Sequence, residues 1–167
     1  MISLKTALLA AALLTGMAAT HTASAQVVAL GASNTEGQGV GSSEAYPAQL
    51  ERMLQAKGKS ISVRNAGVSG DTSAGMLSRL SSSVPEGTRI VILQFGGNDM
   101  RRGISPQQRA GNIASIQQQL KARGIRTVQA DGYIKSALQS GLAQGDRIHM
   151  TAAGHQKVAA QLAASIR

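Results

Sequence analysis

The chain has 167 residues, with 17 basic against 8 acidic side chains, a net charge of +9 and no cysteine. That length suits one domain, and the missing thiol excludes disulfides, thiolate catalysis and thiolate metal sites. The basic residues are scattered, and two tyrosines and one phenylalanine are too few for a base-stacking platform, so no nucleic-acid partner is expected.

Residues 1–25 read as a secretory signal peptide. Lys5 supplies the positive start, an Ala- and Leu-rich run follows, and Ala23-Ser24-Ala25 fits the small-x-small cleavage rule. The apolar run is shorter than the ~20 residues a membrane span needs. No later segment is apolar enough to cross a bilayer, so no stable membrane insertion is expected after cleavage. Residues 26–167 are then one secreted or periplasmic domain, of unknown oligomeric state.

That domain alternates strand and helix. Residues 27–30, "VVAL", form an apolar run that breaks at Gly31, two residues before Ser33. After a Gly- and Ser-rich loop, Tyr46, Leu50, Met53 and Leu54 share one helical face, with Pro47 in the first turn and Gly58 at the stop. Ile61 and Val63 mark a second strand over 60–65. Met76, Leu77, Leu80 and Val84 mark a second helix, closed before Pro85. "IVIL" at 90–93 is a central buried strand. Ser105 and Pro106 open a helix whose inner face is Ile113, Ile116 and Leu120. Residues 125–130 are strand four, and Thr151 caps a last helix with the stripe Val158, Leu162, Ile166. Such alternation predicts right-handed crossovers and a parallel sheet covered on both faces. Ligands bind such sheets beyond the carboxyl ends of the strands.

Ser33 falls on that edge. So do "NAGVSGDT" (65–72), "FGGND" (95–99) and "GDRIH" (145–149). These parts suit acyl transfer. A serine hydroxyl needs a base to become a nucleophile. A histidine, ordinarily mostly neutral at pH 7, supplies it. A carboxylate fixes the imidazole tautomer, and N–H donors must await the developing oxyanion. Between His149 and His155, only His149 has an acid close by, Asp146, three residues earlier. Asp71, Thr72 and Asp99 read as turn and cap residues. "GASNT" misses the G-x-S-x-G nucleophile elbow. "GQGVGS" misses the dinucleotide fingerprint, and no acid and histidine cluster has metal-ligand spacing.

Taken in order, the four segments resemble the blocks of the SGNH hydrolases, the GDSL-type esterases and lipases. "GASNT" is similar to the block G-D-S-x-T, with Ala32 where the family usually has aspartate. "NAGVSGDT", "GGND" and "DRIH" are similar to the second, third and fifth blocks. The resemblance implies Ser33 as nucleophile, Asp146 and His149 as acid and base, and an oxyanion hole from Ser33, Gly70 and Asn98. It implies a flavodoxin-like three-layer α/β/α sandwich with a small, mostly parallel sheet. It implies hydrolysis of carboxylic esters without metal or cofactor. The few aromatic side chains, too few to line a long acyl tunnel, favour short acyl or aryl esters. Sugar acetates, thioesters and lysophospholipids are the family's other substrates, and polysaccharide binding without catalysis is the rival from another class. Residues 131–145 leave room for little more than a turn of helix around 134–138, so the sheet is expected to lack its last strand.

Overall fold

A computed structural model describes residues 26–166; the expected signal peptide lies outside them. Four strands form one parallel sheet: β1 (Val27–Gly31), β2 (Val63–Gly67), β3 (Ile90–Gln94) and β4 (Arg126–Gln129), in the order β2-β1-β3-β4. Val27 pairs with Val63 on one side and Ile90 on the other, so the three strands run in step to Gly31, Gly67 and Gln94. The strand order reverses between β1 and β3, which places the topological switch point where β1 ends.

Strand period two divides the core. Val27, Ala29 and Ile92 face one layer, made with α2 (Tyr46–Ala56), α7 (Asp131–Gln139) and α8 (Ala152–Ser165). Val28, Leu30, Val91 and Leu93 face the other, made with α3 (Ser73–Ser78), α4 (Leu80–Ser83) and α6 (Pro106–Ala122). Two four-residue helices, α1 (Ser33–Glu36) and α5 (Asn98–Arg101), follow β1 and β3 directly. The architecture is the three-layer sandwich expected from the alternation. The sheet ends at β4, as a domain without the last strand would.

Three expectations need correction. The second strand lies about three residues later than 60–65, because pairing in step with β1 selects Val63–Gly67. The helix expected from Met76 to Val84 is broken into α3 and α4 at Arg79. There the guanidinium is drawn into bonds with Gly31 O, Ala66 O and Asp71. The 131–145 segment holds a full nine-residue helix, α7, rather than a single turn. The chain enters it within two residues of β4, and Ile134 and Ala137 bury against the core shared with α8.

Candidate active site

The site is built outward from the end of β1. Ser33 begins α1, so its N–H is among the first helical amides, which have no partner within the helix. Buried polar groups hold this turn. Gln94 Oε1, at the end of β3, accepts from Ala32 N at 2.8 Å and from Thr35 Oγ1 at 3.0 Å. Thr35 in turn meets the Tyr46 hydroxyl at 3.1 Å. Burial pushes the Tyr46 phenol far above its ordinary range, so it remains a neutral hydrogen-bonding group.

The returning 146–149 turn reaches the serine. His149 Nε2 lies 2.9 Å from Ser33 Oγ, and His149 Nδ1 lies 2.5 Å from Asp146 Oδ2. Asp146 also accepts the main-chain N–H of Ile148 at 2.9 Å and of His149 at 3.0 Å through Oδ1. Those main-chain donors, led by that of His149 and joined by the imidazole, hold the carboxyl well below the usual carboxylate range although it is exposed. The turn is docked by Asn34, a residue the sequence reading passed over. Its Nδ2 donates to Ile148 O and its Oδ1 accepts from Met150 N, each at 3.0 Å. Asn34 adjoins Ser33 in the chain, but nothing local in the sequence marks it as a clamp for a loop more than a hundred residues away.

Gly70 lies in the loop after β2, and Asn98 opens α5 after β3. Gly70 adopts φ +77°, a conformation open to glycine and strained for other residues. Asn98 Nδ2 donates to Asp71 O at 2.8 Å, which ties this amide to the residue after Gly70. An asparagine amide carries two N–H groups, so a second donor remains. Asp99, read from sequence as a turn or cap acid, is fully buried. It accepts from Ser73 N and Ser73 Oγ and faces Arg109 Nε at 3.6 Å. It therefore locks α5, which carries Asn98, onto the start of α3. Asp71 pairs with Arg79 at 2.8 Å, and Thr72 caps α3 by accepting Gly75 N. Asp131 was also missed; it accepts Phe95 N at 3.1 Å and Gly96 N at 3.0 Å, joining the end of β3 to α7.

The other histidine is excluded from this edge. His155 is fully buried in α8, where Nδ1 accepts Tyr46 N at 3.2 Å and the ring stacks on Tyr46. Burial pushes its pKa down to about 4.

Comparison with known proteins decides the family. The model of the GDSL-like lipase/acylhydrolase family matches residues 29–141. The chain belongs to that family. The matched span contains Ser33, Gly70 and Asn98 and stops short of Asp146 and His149. Similar curated proteins include esterase TesA of Pseudomonas aeruginosa, 37% identical over 72% of this chain and 58% of the relative. Another is thioesterase 1/protease 1/lysophospholipase L1 of Escherichia coli, 40% identical over 56% of this chain and 44% of the relative. The match thus spans about half the length of these relatives. Among solved structures, the psychrotrophic esterase EstA of Pseudoalteromonas shares the fold, with a TM-score of 0.74 over 84% of this chain and 95% of that one at 19% identity.

Proposed function

We propose that this member of the GDSL-like family is a serine esterase acting on carboxylic esters. The observation that carries the reading is the Ser33, His149, Asp146 relay, with 2.9 and 2.5 Å between successive partners. Neutral His149 takes the Ser33 proton as Oγ attacks the ester carbonyl. Asp146 holds the Nδ1–H tautomer and stabilises the imidazolium without itself taking the proton. The Ser33 and Gly70 N–H groups and the Asn98 amide receive the oxyanion. The imidazolium gives its proton to the leaving alcohol, and water then releases the acyl group from Ser33 by the reverse sequence. No step calls for a metal or cofactor.

The reading favours short acyl or aryl esters. The thioesterase and lysophospholipase named among this chain's relatives makes thioesters and lysophospholipids the first alternatives to assay, and sugar acetates follow. A fluorophosphonate should label the protein on the peptide carrying Ser33, and Ser33→Ala should abolish both labelling and hydrolysis of p-nitrophenyl esters. Labelling elsewhere, or hydrolysis that survives the substitution, rejects the assignment.

The cellular placement proposed is secreted or periplasmic. No helix among the described residues is long and apolar enough to cross a membrane. Amino-terminal sequencing of exported protein should begin at Gln26.

A further inference from the structure

A groove of about 430 Å³ is lined by residues of α7 and of the 146–149 turn, together with Asn34, the residue after Ser33. Its lining includes Ile148, the residue before His149, and the apolar side chains Ile134 and Leu138. The lining also carries two cations from two different elements, Lys135 on α7 and Arg147 on the turn. Both residues are exposed, and neither joins an ion pair among the described residues. The one carboxylate in the groove, Asp131, already accepts the Phe95 and Gly96 N–H groups.

Arg147 has a second peculiarity. Among the described residues it is the one non-glycine residue with positive φ, at 60°. The conformation is dictated locally. Asp146 gathers the N–H groups of Ile148 and His149, while Arg147 N donates to Gln144 O at 2.9 Å. Glycine would meet that demand without strain, whereas a side chain there is costly. Strain of this kind gathers at functional sites. Here it sets a guanidinium in the wall of the groove, one residue from the turn's Asp146 and two from His149.

We infer that this groove recognises an anionic group, a carboxylate or phosphate, carried by an otherwise apolar ester substrate. The inference rests on the esterase reading and adds a substrate class to it. Ile134 and Leu138 take the hydrocarbon part, and Lys135 and Arg147 take the charge.

The test is binding to the full chain carrying Ser33→Ala, measured by calorimetry so that turnover is not needed. Two pairs of esters set an anionic member against a neutral one of similar size: mono-p-nitrophenyl glutarate against p-nitrophenyl pentanoate, and 4-butyryloxybenzoate against its methyl ester. The first pair puts the anion on the acyl side, the second on the alcohol side. In at least one pair, the ratio of neutral to anionic Kd should fall by about fivefold with Lys135→Gln and again with Arg147→Gly, the scale of one partly exposed ion pair. Arg147→Gly should also raise Tm by relieving the strain, so a folding failure does not confuse the result. A ratio unchanged by both substitutions in both pairs overturns the inference. Failure of the esterase reading is visible separately, as absence of Ser33-dependent hydrolysis by the unsubstituted protein.

Discussion

Replacing Asn34 with alanine should separate His149 from Ser33, the proposed base from the proposed nucleophile, while leaving the fold in place. The side chain is 8% exposed and makes two bonds to the returning turn, to Ile148 O and from Met150 N, both 3.0 Å long. Each such bond contributes about 1 kcal/mol net, and a buried N–H left without an acceptor costs about 1–3 kcal/mol. The docked turn therefore loses about 2–3 kcal/mol relative to an undocked one. If all of that loss falls on the arrangement that places His149 against Ser33, kcat/KM drops about 30- to 150-fold, at 1.36 kcal/mol per factor of ten. Of the turn's other bonds, Gln144 N to His149 O at 2.7 Å lies within its own segment, and Gln144 Nε2 to Gln38 O at 2.8 Å holds only its start, so neither replaces the clamp on Ile148 and Met150. Steady-state hydrolysis of a p-nitrophenyl ester measures the effect, with circular dichroism to verify the fold. Activity within twofold of the unsubstituted protein would refute the claim that Asn34 couples the two halves of the site.

Four further outcomes follow from the same geometry. Asn98→Ala should lower kcat by about 10²–10³, the scale of one oxyanion donor, and lower Tm by a few degrees through loss of the bond to Asp71 O; a normal rate removes Asn98 from the oxyanion hole. Gly67→Ala should destabilise the protein by about 1–3 kcal/mol in urea unfolding and slow hydrolysis, because the added methyl collides with the main chain of Glu36 in the helix that carries Ser33; an unaltered midpoint contradicts that packing. Stability should fall on acidification from about pH 6.5 towards pH 4. His155 is held neutral in the fold with its pKa near 4, so the unfolded chain binds the extra proton across that window. The loss reaches about 3 kcal/mol at pH 4, and His155→Gln should flatten the profile between pH 6.5 and 4. Gln94→Leu, which removes the acceptor for Ala32 N and Thr35 Oγ1, should lower both Tm and kcat/KM; full activity would show that the nucleophile turn needs no such support.

Local sequence determined the elements whose signals are local. The apolar run of β1 and the "IVIL" of β3 are buried on both faces, so each reads as a continuous hydrophobic stretch. The Ser105 cap with Pro106 starts α6 where the capping box is found, and Thr151 caps α8. Their alternation dictated a parallel sheet, and with it the edge on which Ser33, Gly70, Asn98 and His149 lie. Asp146 and His149 were legible because their three-residue spacing is itself the local geometry of their bond.

Tertiary structure decided what depends on partners distant in the chain. The start of β2 was set by its register against β1, and the break between α3 and α4 by the bonds that Arg79 makes to β1, β2 and Asp71. The helical length of 131–139 was decided by burial of Ile134 and Ala137 in the core that α8 shares, a stabilisation that a short segment with Gly132 near its start does not advertise. Above all, the reach of His149 to Ser33 was decided by Asn34, which bonds two main-chain groups 114 and 116 residues further on. A hydrogen bond to a peptide group depends on where that group is carried by the fold and leaves no trace in the identity of the residue that owns it.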